Sequence, residues 1–283
     1  MDVQRVAAFS QGTEGGNPAG VVLMEQAASE ADMARVAADV GYSETAFAFP
    51  LDDGGKRWRV RYFSPESEVP FCGHATIALG AVLGRRGGAG AYSLTLNNAT
   101  ITVEAEGSSE EMFATLTSPP TSSGEATSQE LQAALGLFSL TTADLDPRLA
   151  PARIHGGADH LLLPLKSRDT LARMHYELAE GRELMRAHGW VTVMLVFIED
   201  ERSFVARNAF ASGGVLEDPA TGAAAAAFAG YLRDQGWPHG GSFTIRQGED
   251  MGSPSVIRVT LSDVIGSPVR VSGGVRNIAR PTR

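Results

Sequence analysis

Two stretches of the chain are apolar on every side of a helical wheel: 77–83, which runs up to Gly84, and 223–232. A helix that is hydrophobic all round is a buried one. Around each stretch the pattern switches to short runs of strand type. In the first half these runs are 45–49, 57–63, 92–96, 101–105 and 112–116. In the second half they are 160–165, 191–198, 203–210, 242–245 and 255–260. Between 45–49 and 57–63, Asp52-Asp53-Gly54-Gly55 is hairpin chemistry. Amphipathic helices are expected at 30–40, capped by Ser29 and stopped by Gly41, at 128–135, capped by Ser128, and as one long helix over 169–188. The chain therefore reads as α+β, with a sheet curled around one apolar helix in each half. The halves echo each other. Arg61 and Phe63 precede Thr76 and a buried helix, as Arg207 and Phe210 precede Thr221 and a buried helix.

A chain of 283 residues exceeds one usual core, and Ser118-Pro119-Pro120 with the polar run after it reads as a linker over 119–127. The expected domains are 1–118, joined by the C-terminal segment 267–283, and 128–266, with a cleft between them for a small molecule. With 24 basic and 33 acidic side chains the net charge is −9. No positive field exists to hold nucleic acid or anionic lipid, so neither is an expected partner. The longest apolar run, 223–232, is about half of the ~20 residues that a membrane span requires. The start of the chain lacks the apolar run of a signal peptide, and Cys72 is the single cysteine, so no internal disulfide can form. A cytoplasmic enzyme is expected. No CxxC or clustered Cys/His spacing signals a zinc site, and the expected metal set is empty.

The two buried helices begin at Gly73-His74-Ala75-Thr76 and at Pro219-Ala220-Thr221-Gly222, both poor in bulky side chains. A helix start offers unpaired N–H groups and partial positive charge, and takes carboxylate or phosphate oxygens readily. Glu44, His74 and Asp218 are the ionisable groups at or beside these turns, of the kind that general acid–base chemistry uses. Singly, each has a plainer role: a solvated acid, a core histidine, a capping acid. Arg59, Arg61 and Arg207 could neutralise an acidic ligand or form ion-paired strand faces. His155 and His160 flank a turn that could approach the cleft or face solvent.

The strings GNPAG, GYSETAF, FSPESEVPFCGHAT, EDPATG and QGEDMGSPS, in this order from Asn17 to about Ser255, resemble the PhzF-like family, the phenazine biosynthesis isomerases of the diaminopimelate epimerase-like fold. The resemblance implies two β-barrel-like domains, each wrapped on a central helix, with the active site between them and no cofactor or metal. It implies that Glu44 of S-E-T is the acid–base that moves a proton on a small carboxylic acid, supported by His74 and Asp218. The substrate-binding set is then Asn17, Gly73, Ala75, Thr76, Ala220, Thr221 and Gly222, and the family suggests a homodimer. Two departures bear on the substrate. Ala223 stands where the phenazine enzyme has serine, and Ser253 where the family often has arginine. The related epimerases invert carbon with two thiols, which a chain with only Cys72 lacks. An epimerase using non-thiol bases, or a binding protein without turnover, are the alternatives.

Overall fold

The computed structural model describes residues 1–107 and 112–279 and divides the chain into two compact units. The first unit is Met1–Thr117 with Ser272–Arg283, and the second is Ser118–Val271. Residues 280–283 of the expected C-terminal segment lie outside the described residues.

In the first unit the strands are β1 (Gln4–Ser10), β2 (Asn17–Leu23), β3 (Thr45–Pro50), β4 (Arg57–Phe63), the two-residue β5 (Glu68–Val69), β6 (Gly90–Thr95), β7 (Thr100–Gly107), β8 (Met112–Thr117) and β17 (Arg270–Asn277). The helices are α1 (Glu30–Val40) and α2 (Gly73–Gly87). β2 and β3 pair in parallel with α1 in the crossover, and β4 and β6 in parallel with α2 in the crossover. A parallel pair requires such a long connection. β17 pairs with both β1 and β8, so the sheet closes on itself. α2 packs on β1, β2, β3, β6, β7 and β8. Its residues from His74 to Gly84 are all buried, the environment that its uniform apolarity demands. The helix lies very close to the sheet: a Cβ on Gly80 would stand 2.5 Å from Val103 Cγ2. α1 covers the outer face, burying Met33, Val36 and Ala37 on Val22, Phe47 and Phe63. Ser29 accepts from the Asp32 N–H at 3.1 Å, and Gly41 closes the helix in the left-handed region at φ 71°.

The strands of the second unit are β9 (Ser122–Glu125), β10 (Ala152–His155), β11 (Asp159–Leu165), β12 (Thr192–Asp200), β13 (Ser203–Ala209), β14 (Glu217–Asp218), β15 (Ser242–Gln247) and β16 (Ser255–Thr260). Its helices are α3 (Ser128–Leu137), α4 (Arg168–Ala172), α5 (Leu178–His188) and α6 (Gly222–Asp234). The pairings repeat those of the first unit: antiparallel β10–β11, parallel β11–β12, antiparallel β12–β13, parallel β13–β15 across α6, antiparallel β15–β16. α6 touches β9, β10, β11 and β16, strands from both ends of that run, so the sheet wraps it. Its alanines permit close contact, and a Cβ on Gly156 would meet the Ala227 nitrogen at 2.7 Å.

Three expectations change. Residues 119–127 are part of the second unit: they carry β9, which pairs antiparallel with β10, and Thr127 rather than Ser128 caps α3, in a reciprocal capping box with Glu130. The long helix over 169–188 is two helices. The guanidinium Nη1 of Arg207 donates to the carbonyls of Leu171, Ala172 and Met174, and so satisfies the end of α4 where a continuing helix would have used those acceptors. The pattern reading assigns no strand to β1, β2, β9, β10 or β17. β2 carries Pro18 as its second residue, and β17 contains Gly273, where a Cβ would stand 2.4 Å from Phe9 Cδ1. Phe9 sits at φ 61° in the irregularity of the β1–β17 ladder, so the glycine marks a close approach there. Among the described residues no helix is long and apolar enough to cross a membrane.

Candidate active site

Glu44 lies in the connection between Gly41, which ends α1, and β3. Its backbone carbonyl accepts from the Gly20 N–H at 3.1 Å, which ties the connection to β2. Its side chain is only 13% exposed, and one carboxylate oxygen stands 3.4 Å from His74 Nε2. His74, on the first turn of α2, is buried. Ser43 Oγ lies 3.5 Å from the same nitrogen, and Cys72 Sγ lies 3.3 Å from Nδ1. The imidazole is thus held between an acid and a thiol, each facing a different ring nitrogen. A carboxylate beside an imidazole, mostly shielded yet reachable from solvent, can take a proton from carbon and return it.

No side chain caps the start of α2. Cys72 is the N-cap residue, and its carbonyl accepts from both the N–H and the hydroxyl of Thr76, at 3.0 and 2.7 Å. The Thr76 hydroxyl also meets the buried Tyr62 hydroxyl at 2.6 Å. Burial pushes the Tyr62 phenol well above its usual range, so it stays protonated. The Thr76 N–H and hydroxyl are therefore both engaged within the helix start. The N–H groups of Gly73, His74 and Ala75 remain at the helix start, next to Glu44's partner. Asn17, at the start of β2, is 1% exposed and opposes Ala8, a buried strand residue.

The second unit carries its own buried polar chain, in which the side-chain donors point the same way. His160 Nδ1 meets Thr192 Oγ1 at 2.8 Å, and the Thr192 hydroxyl donates to Asn208 Oδ1 at 3.0 Å. Asn208 Nδ2 donates to Gln247 Oε1 at 3.0 Å. Gln247 Nε2 donates to the Asp218 carbonyl at 2.6 Å and to Thr221 Oγ1 at 3.1 Å. The Thr221 hydroxyl donates to Asp218 Oδ2 at 2.6 Å. The network assigns the proton of the neutral imidazole to Nδ1. Burial holds the His160 pKa down to about 3. Asp218, on β14 opposite Asn208, is thus oriented by both its carbonyl and its carboxylate. Thr221 is the N-cap of α6, and like Thr76 its hydroxyl is used internally. Ala220 and Gly222 are buried.

The arginines are engaged elsewhere. Arg61 makes a two-point pair with Glu68 and a third contact to Glu30, which raises its pKa. Arg59 donates to the carbonyls of Val60 and Thr95 and to Asn97. Arg207, besides the α4 carbonyls, pairs with Glu217 at 3.0 and 2.5 Å. Of the two histidines beside the 156–159 turn, His155 pairs with Asp159 at 2.8 Å and His160 is fully inside, not at a surface. Sequence reasoning passed over Ser43, Asn208 and Gln247. Two of them carried a signal: Ser43 is the serine of the GYSETAF string and Gln247 is the first residue of the QGEDMGSPS string.

A repeated sheet-around-helix unit with an acid and an imidazole at a helix start defines a protein of the diaminopimelate epimerase-like fold, an isomerase or epimerase. The model of the family described as "Phenazine biosynthesis-like protein" matches residues 6–276, and the chain belongs to that family. It is 34% identical over 265 residues to an uncharacterised isomerase of Deinococcus radiodurans, spanning 90% of this chain and 84% of the relative. With the trans-2,3-dihydro-3-hydroxyanthranilate isomerase of Pseudomonas fluorescens it shares 29% identity over 256 residues, 89% of this chain and 87% of that one. The crystal structure of a PhzF-family protein of Bacillus anthracis superposes with a TM-score of 0.84 at 22% identity, over 98% of this chain and 96% of the other.

Proposed function

We propose that the protein is a cofactor-independent isomerase that moves a proton between two carbons of a small carboxylic acid, with Glu44 as the acid–base. The observation that carries this reading is the Glu44–His74 contact of 3.4 Å at the uncapped start of α2. The carboxylate removes a proton from carbon, the electron pair shifts along the adjacent unsaturation, and the same carboxyl group returns the proton at the far carbon. His74 fixes the orientation of Glu44 through their 3.4 Å contact. The N–H groups of Gly73, His74 and Ala75 supply donors for the negative charge that develops on the substrate. Asp218, held by Thr221 and Gln247, is offered as a supporting acid.

The Pseudomonas fluorescens relative is named for an acid of this kind, which makes trans-2,3-dihydro-3-hydroxyanthranilate the first probe. Ala223 removes a hydroxyl that the phenazine enzyme has and Ser253 a cation that the family often has, and this favours a different member of the same substrate class. In heavy water, NMR of the probe and of a panel of small unsaturated carboxylic acids should show deuterium at a carbon other than the one that lost hydrogen. Glu44→Gln should slow this by roughly 10²- to 10⁴-fold while ligand binding persists, because the amide keeps shape and loses the transferable proton. Unchanged exchange in Glu44→Gln would remove Glu44 from the role. Deuterium appearing only at the carbon that lost hydrogen would favour the epimerase reading.

A further inference from the structure

We propose that Glu44, Cys72 and His74 form a zinc-binding site, and that a zinc ion there blocks proton transfer at Glu44. The blocking effect rests on the acid–base reading above; the metal site does not. One carboxylate oxygen, one thiol sulfur and one imidazole nitrogen lie within 4.8 Å of one another. Zinc bonds of about 2.0–2.3 Å in tetrahedral geometry place neighbouring ligand atoms roughly 3.3–3.7 Å apart. His74 Nε2 stands 3.4 Å from Glu44 Oε2 and 4.0 Å from Cys72 Sγ, which lies 3.3 Å from Nδ1, so the three atoms frame such a site once the Cys72 side chain turns its sulfur from Nδ1 toward Nε2.

The donor set selects the ion. Sulfur and imidazole favour zinc and its soft neighbours, whereas magnesium and calcium prefer oxygen ligands. Three protein ligands leave a fourth position for water, the pattern of an open site. His74 and Cys72 are buried and Glu44 is 13% exposed, so the ion enters on the carboxylate side and meets a shielded sulfur. On binding, the thiol releases its proton to solvent and the thiolate bonds the metal, while His74 contributes its Nε2 lone pair. The Glu44 oxygen that would take the substrate proton is then occupied. Zinc binding and proton transfer are mutually exclusive, and the ion acts as a reversible brake on the centre.

The test uses the full chain, stripped with EDTA and desalted, and cobalt(II) and zinc(II) as the probes. Cobalt should produce a thiolate-to-metal charge-transfer band, titrating one ion per chain, that zinc abolishes and magnesium leaves untouched. Cys72→Ser should remove the band while keeping the fold, since serine suits a helix N-cap. Glu44→Gln, on a different element, should weaken zinc binding by more than the roughly tenfold that loss of an outer partner typically costs. Zinc should suppress deuterium exchange into substrate, and EDTA should restore it. Absence of the band, or equal zinc affinity in wild type, Cys72→Ser and Glu44→Gln, would overturn the site and leave the isomerase reading standing. Stoichiometric zinc binding with undiminished exchange would overturn the brake. Zinc binding by a protein that exchanges no substrate hydrogen would sink the isomerase reading and keep the metal site.

Discussion

Replacing Gln247 with methionine tests whether the buried chain in the second unit holds Asp218 in place. The glutamine is 1% exposed and its side-chain amide is used at both ends. Its oxygen accepts from Asn208 Nδ2 at 3.0 Å and from the Thr221 N–H at 3.3 Å, and its nitrogen donates to the Asp218 carbonyl and the Thr221 hydroxyl. Methionine has nearly the same length and volume, so no cavity opens. Two buried donors lose their acceptor, at about 1–3 kcal/mol each, and the thioether regains about 1 kcal/mol by burying more apolar surface. The net cost is therefore about 1–5 kcal/mol, centred near 3. For a unit of this size the central value lowers Tm by roughly 6–12 °C. Scanning calorimetry reads it directly. The Asp218 carboxylate should lose alignment as well, so turnover on an identified substrate should fall more than binding does. A Tm within about 1 °C of wild type would show that the amide bonds contribute nothing net, and that Asp218 is placed without Gln247.

Two further outcomes follow from buried charge. Glu217→Ala leaves the guanidinium of Arg207, only 8% exposed, without its carboxylate, and should destabilise by about 3–5 kcal/mol in urea titration; a loss below about 1 kcal/mol would mean the α4 carbonyls suffice to hold that charge. His160, with its pKa depressed from 6.5 to about 3 in the folded chain, contributes stability that is fully present above about pH 6.5. That contribution falls by about 1.4 kcal/mol per pH unit as pH drops toward 3, because the unfolded chain takes the proton first. His160→Gln should flatten this acid limb in denaturant melts at a series of pH values, and an unchanged slope would refute it.

The uniform apolarity of 77–83 and 223–232 sufficed to place two buried helices, because no surface could accept such segments. The period-two runs between them placed most strands, and the repeat of spacing around Thr76 and Thr221 appears as the repeated strand pairing of the two units. Glu44, His74 and Asp218 were legible only through motif strings, since a lone acid or histidine has no pattern of its own. What remained hidden depended on contacts distant in sequence. The break between α4 and α5 comes from Arg207, a residue far along the chain that satisfies carbonyls a helix would otherwise use. β17 joins the first unit because Gly273 lets it approach Phe9, and neither residue signals this alone. The contact of His74 with Glu44, 30 residues away, arises because the connection after α1 is fastened to β2 through Gly20. Spacing along the chain carries local periodicity, whereas a ligand set or a hydrogen-bonded chain depends on which elements the sheet brings side by side.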